Sequence, residues 1–134
     1  MLGGTGVRAR QQVVEAFRPA LALTGDAGGG KTWFIGRGGS CHRLGGEGFT
    51  LGPDLVSVRN AGKEKMLASI LDPGREVLPQ YLAFEIETRD NESLLGIVVG
   101  ETAASVTLRQ AYGKDTVVPR GEIATMHSQG KSIM

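Results

Sequence analysis

Apolar positions recur along this 134-residue chain with two different periods, and the change comes near Tyr81. Over residues 9–18, Val13, Val14 and Phe17 fall on one side at helical spacing, and Pro19 disfavours helix in the residue before it. A short helix or connector is therefore expected within residues 1–18. Over residues 63–71, Met66, Leu67, Ile70 and Leu71 form an apolar stripe, with Asn60 as the expected cap and Asp72-Pro73-Gly74 as the stop. Met66 reads as a core residue of that stripe, and Met126, further on, as another. From Tyr81 the period becomes 2: Leu82, Phe84 and Ile86 alternate with Ala83, Glu85 and Glu87, which predicts a half-buried strand. Further strands are expected over 94–101, 105–110, 116–119 and 122–127, with turns at Asp90-Asn91-Glu92 and Gly113-Lys114-Asp115. The class is α+β. Residues 81–134 read as a small antiparallel β module whose succession of strands and turns is similar to Sm-like or SH3-like barrels.

Composition changes the picture mainly before residue 53. The chain has twenty-one glycines, against a usual share of about 7%; fourteen of them crowd into residues 3–52 and predict loop over 24–53, with single helical turns near 32–35 and Cys41. Formal charge is +1, and neither half is strongly basic: residues 1–80 hold 10 Lys+Arg against 7 Asp+Glu, and residues 81–134 hold 5 against 7. No nucleic-acid partner is expected. No apolar run approaches the roughly 20 residues of a membrane span, so no membrane insertion is expected either, and the segment MLGGTGVRARQQ lacks a signal-peptide core. A single cysteine, Cys41, excludes an internal disulfide and a multi-cysteine zinc site. The acidic residues are dispersed, with neither paired carboxylates nor a Ser-His-Asp order for hydrolysis.

Gly25-Asp26-Ala27-Gly28-Gly29-Gly30-Lys31-Thr32 satisfies the phosphate-loop pattern GxxxxGK[ST]. That chemistry needs a buried strand before the loop and, after it, a helix whose N-terminus faces the phosphates. Ala20–Thr24 is too short for the strand, and the glycines at 36, 38 and 39 each weaken a following helix by about 1 kcal/mol. Nucleotide binding is the third-ranked reading.

Gly38-Gly39-Ser40-Cys41-His42 ends like a CxxCH haem-attachment motif, in which thiols add to haem vinyl groups and the adjacent imidazole reaches the iron. The run Gly25-Asp26, Gly30, Phe34, Cys41-His42-Arg43, Gly46-Glu47-Gly48 and Gly52-Pro53-Asp54-Leu55 resembles the haem-binding domain of the Pirellula/Verrucomicrobium type, a relative of c-type cytochromes. The likeness continues through Leu67, Ser69-Ile70-Leu71-Asp72-Pro73, Tyr81, Thr88, Gly96, Glu101-Thr102 and Val106-Thr107-Leu108. It ends with Pro119-Arg120, Ile123 and Ser132-Ile133-Met134, covering about residues 19–134.

The resemblance implies a cytochrome c-like haem-binding segment over 19–80, and a β module over 81–134 that ends in a candidate distal-ligand segment. Cys41 matches the second attachment cysteine and His42 the proximal ligand. Gly52-Pro53 matches the turn whose carbonyl orients that imidazole, and Met134 matches the distal methionine. Gly38 stands where the family has its first cysteine, so at most one thioether to haem c can form. The function implied is electron transfer without catalysis, in a periplasmic or other extracytoplasmic setting, as a domain of a larger redox protein with a redox partner protein. The rival reading is a haem-less structural or interaction module. His127, on an expected edge strand, reads as a solvated imidazole, and Trp33 and Phe34 as packing residues that could also meet a porphyrin edge.

Overall fold

A computed structural model describes residues 4–134, with side chains from residue 6; residues 1–3 of the expected N-terminal segment lie outside the described residues. Helices α1 (Gly4–Phe17), α2 (Ala27–Arg37), α3 (Leu55–Val58) and α4 (Lys63–Leu71) come first, with a two-stranded hairpin, β1 (Arg43–Leu44) and β2 (Glu47–Gly48), between α2 and α3. Then follow β3 (Leu82–Thr88), β4 (Ser93–Glu101), β5 (Ser105–Gln110), β6 (Lys114–Pro119) and β7 (Ile123–Ser132). The fold is α+β.

The long strands form one antiparallel sheet in the order β6-β5-β4-β3-β7. Four strands meander; a 3-10 turn at Arg120–Glu122 then carries the chain back to the far side of β3, where Ile86 faces Met126. This return of the last strand onto the first is the topology expected of an SH3-like or Sm-like module. Ile86, Val106, Leu108 and Val118 form its buried core, flanked by Phe84, Leu94, Val98, Ile123 and Met126. Gly96 sits on β4 where a Cβ would run into the carbonyl oxygen of Arg109 on β5, so only glycine lets the two strands approach. The β3–β4 turn closes with Thr88 and Glu92 paired through the backbone and Asn91 in the left-handed region at φ 63.

Across the β5–β6 hairpin, Arg109 donates two hydrogen bonds to Asp115, at 2.7 and 2.8 Å. These bonds, with the guanidinium charge, hold the Asp115 carboxyl below its ordinary value. A carboxylate depressed in the folded state stabilises above the ordinary aspartate range, and that contribution disappears as pH falls through the lowered value. Asp115→Asn is expected to lose it at neutral pH and to flatten the acid limb of the stability curve; denaturant titrations from pH 7 downwards would show whether the two proteins converge at low pH.

The structure departs from expectation in four places. First, α2 is a regular helix where loop was expected. The Asp26 carboxylate caps it by accepting from the N–H groups of Gly28 and Gly29 at 3.0 and 3.1 Å, and Arg37 lies 5.2 Å over the Trp33 ring one turn away. A cap of this kind contributes about 1 kcal/mol, set against the local cost of the glycines. Second, α4 has the expected bounds, but Gly62 at φ 88 opens it and Asn60 lies in the preceding 3-10 turn without capping it. Third, the α4 stripe is narrower than the sequence suggested: Leu67 and Leu71 are half-buried, whereas Met66 and Ile70 are exposed. Only Val14 of the α1 stripe is buried, Val13 and Phe17 being exposed. Fourth, the turn expected at 113–115 lies at Ala111–Gly113, and β7 runs on to Ser132 instead of stopping at His127.

Candidate haem-attachment site

The segment bearing Cys41 and His42 emerges from the C-terminal end of α2. The N–H groups of Gly38 and Gly39 both donate to the Phe34 carbonyl, and those of Cys41 and His42 both donate to the Gly38 carbonyl, so the chain turns tightly into the Cys-His pair. Gly45 at φ 61 then opens the short β1–β2 hairpin. At Gly48 (φ 91) a Cβ would collide with the His42 carbonyl oxygen, so the hairpin can fold back there only on glycine. Leu51, 2% exposed, and Gly52 next donate their N–H groups to the Cys41 carbonyl at 2.9 and 2.7 Å. The two ends of the loop are thus tied together at the thiol-bearing residue.

That closure places Gly52 and Pro53 against the imidazole. His42 Nδ1 lies 2.8 Å from the Pro53 carbonyl oxygen. A carbonyl can only accept, so Nδ1 carries the proton and donates. In the neutral ring this leaves the Nε2 lone pair as the free donor atom, and among the described residues nothing hydrogen-bonds to it. Gly52 packs closely against the Cε1 side of the ring: a Cβ there would sit 2.5 Å from Cε1, 2.9 Å from Nδ1 and 3.2 Å from Nε2. Asp54 then begins α3, accepting from the Val56 N–H at 2.8 Å.

Cys41 is half-buried, its Sγ 3.5 Å from Ser40 Oγ, and it faces a cleft of about 410 Å³ between the Cys-His loop and the sheet. Leu51, Leu95, Ala111 and Ile133 give this cleft apolar walls, with Gln110 and Lys114 at its polar side. Met134 follows directly on Ile133; its own side chain is 54% exposed, and its N–H donates to Ser132 Oγ at 3.1 Å. Gly38 is crowded by the Phe34 ring: a Cβ would meet two ring carbons at 3.0 and 3.2 Å. A side chain at position 38 would need the Phe34 ring to shift by a few tenths of an ångström. Trp33 is exposed under Arg37. His127 stands apart on β7, in a polar cross-strand group with Glu85 and Gln129.

The phosphate-loop pattern has no cradle. Gly28–Thr32 is helical, and the Asp26 carboxylate occupies the amides of Gly28 and Gly29 that would have to face a phosphate. Lys31 reaches Glu47 at 3.4 Å, and a 3-10 turn, not a strand, lies upstream at Arg18–Ala22. A larger groove of about 460 Å³ between α1 and α4 shares no lining residue with the cleft at Cys41 and is lined by mutually paired charges, among them Arg18 with Glu64 and Lys65 with Glu76.

Among the described residues, no cluster of three or more His, Cys, Asp and Glu side chains is arranged to hold a metal ion, and no helix is long and apolar enough to cross a membrane. The contact that sequence reasoning missed is the one between the β5–β6 turn and the Cys-His loop, where the Tyr112 N–H donates to the Ser40 carbonyl at 2.8 Å. No family model matches the chain, and no curated protein is similar to it.

Proposed function

We infer that this chain is a c-type haem-binding domain that carries electrons without turning over a substrate. The observation that carries the reading is the fixed imidazole of His42: Nδ1–H donates to the Pro53 carbonyl, Gly52 leaves no Cβ against the ring, and Nε2 remains free. A second interaction that fixes ring orientation and raises ligand basicity is what metal-ligating histidines ordinarily have. A haem held here would supply a one-electron iron couple.

The chain's own residues divide the work of binding. Cys41 offers a half-buried thiol facing an apolar cleft, suited to adding across one vinyl group. His42 Nε2 is the proximal donor. Met134 is the candidate distal donor, because the neighbouring Ile133 lines the same cleft as Cys41, and a thioether ligand raises the reduction potential. With glycine at 38 and Cys41 the single cysteine, one thioether is the limit. Covalent attachment of this kind belongs to an extracytoplasmic compartment, with a redox protein as partner.

The helical part adds to the case. Among the described residues, Val14 and Leu51 are the only buried apolar side chains before β3, while Trp33, Ile35, Phe49 and Val56 are exposed there. A large apolar ligand would give these side chains something to bury against.

A second reading is favoured by Gly38 itself. A domain that has lost its first attachment site could persist as a haem-less interaction module resting on the sheet. Co-expression with a signal peptide and cytochrome c maturation factors separates the two. A Soret band with a covalent haem adduct in the intact mass, abolished in Cys41→Ala, is expected; an apo mass on a folded, β-rich chain would overturn the haem reading in favour of the module.

A further inference from the structure

We propose that Tyr112 is the positioning residue of the Cys41–His42 segment and that the turn between β5 and β6 is the element through which the sheet holds that segment; this rests on the haem-binding reading above. Tyr112 adopts φ 60, ψ 24, a left-handed conformation that a bulky L-residue rarely takes. Its side chain is 71% exposed, so burial does not account for a tyrosine there. What the conformation achieves is the direction of its N–H, which donates to the Ser40 carbonyl at 2.8 Å, one residue before the thiol. Strained backbone of this kind persists where surrounding contacts over-determine it, and such sites cluster at functional positions.

Those contacts come from the other end of the same loop. The Phe49 ring meets the Tyr112 ring edge-on, with centroids 6.0 Å apart and planes at 74°. Phe49 also lies against Gly113, where a Cβ would be 3.0 Å from the ring. The Phe49 N–H in turn contacts the carbonyls of Gly39 and His42, at 3.0 and 3.2 Å. One turn of the sheet therefore grips the loop before Cys41, at Ser40, and after the β1–β2 hairpin, at Phe49. Gln110, Ala111 and Lys114, beside that turn, line the cleft that Cys41 faces.

A single thioether makes this grip matter. In the attachment, the Sγ–H bond breaks, Sγ bonds one vinyl carbon and the hydrogen goes to the other, with no net gain or loss of electrons. With two thioethers the ring would be fixed covalently at two points; with one, the relation between Sγ and His42 Nε2 depends on how firmly the protein holds the intervening backbone. Tyr112 supplies that hold from the turn that joins β5 to β6.

The test uses the full chain, co-expressed with a signal peptide and maturation factors, and three variants. Tyr112→Gly keeps the N–H and adopts a positive φ without strain. Tyr112→Pro removes the N–H and fixes φ near −65°. Replacement of Ala111-Tyr112-Gly113 by Asn-Gly closes the hairpin as a two-residue turn that no longer reaches Ser40. The readouts are the covalent haem fraction by intact mass, the iodoacetamide alkylation rate of Cys41 in the haem-free chain, and far-UV melting of the sheet as the folding control. Tyr112→Gly is expected to keep most of the covalent fraction. The proline and Asn-Gly variants are expected to lower it about tenfold or more, the usual scale for removing a contact behind a ligand, and to speed alkylation. A folded Asn-Gly variant with an unchanged adduct and alkylation rate would overturn this proposal alone; a parent chain that takes no haem would overturn it together with the reading it rests on.

Discussion

Ile86→Ala is expected to cost about 2–5 kcal/mol of stability, enough to unfold a substantial fraction of a protein whose total stability is typically about 5–15 kcal/mol. Ile86 is 0% exposed and sits on β3, an interior strand of the sheet, opposite Leu94 of β4 on one side and Met126 of β7 on the other. It touches the cluster of Val106, Leu108 and Val118, so truncation opens a cavity that strands pinned on both sides cannot collapse to fill. The corresponding change in α4, Leu67→Ala, removes a half-buried side chain from an open groove and should cost distinctly less. The contrast has a kinetic and thermodynamic signature. Before haem is added, hydrogen exchange should find residues 82–132 protected to the global limit and the helices opening well below it, because the sheet holds most of the buried apolar side chains. Urea melts of both variants would check the ranking; equal midpoints would mean that the helical part carries more of the stability than its burial indicates.

How much of this was legible in the sequence follows from which signals are local. The β module was legible because alternation at Leu82, Phe84 and Ile86, with turn residues at Asp90-Asn91, marks the strand without long-range information; the face it gave holds at Ile86 but not at Ala83, which a register shift between Leu82 and Phe84 leaves buried while Leu82 and Phe84 are half-buried. The end of β7 was not, because Ser128-Gln129-Gly130-Lys131 has no apolar alternation; those residues are strand only because β3 extends to Leu82 beside them. Helix α2 was hidden by its glycines, whose cost is easy to count, whereas the gain from one carboxylate reaching two amides depends on a conformation the sequence does not print. At the site, Cys41-His42 was legible as the end of an attachment motif and Gly52-Pro53 only through the family resemblance, and the structure brings them together through the β1–β2 hairpin. The link from Tyr112 to Ser40 left no trace, since a backbone N–H has no residue identity and the two partners are far apart in the chain.

Gly52→Ala is expected to lower the covalent haem fraction or the affinity for haem by about 10–100-fold while leaving the sheet's melting transition in place. The added Cβ would sit 2.5 Å from His42 Cε1, well inside van der Waals contact, so either the ring or the 51–53 backbone must move. The backbone is held by the Leu51 and Gly52 N–H groups on the Cys41 carbonyl, which leaves the ring as the part that swings. Swinging breaks the 2.8 Å bond to Pro53, and with it the preference for a proton on Nδ1. Nitrogen-15 chemical shifts of His42 in the haem-free chain report that tautomer directly: Nδ1–H should dominate in the parent protein at a pH where the ring is neutral, and a mixture should appear in Gly52→Ala. Gly46→Ala is the control, because nothing lies within 4 Å of a Cβ there and its backbone is not left-handed, so both readouts should stay at parent values. Should Gly52→Ala keep both the tautomer and the haem, the close contact of Gly52 with the imidazole would be incidental packing, and the assignment of His42 as a ligand would lose the observation that carries it.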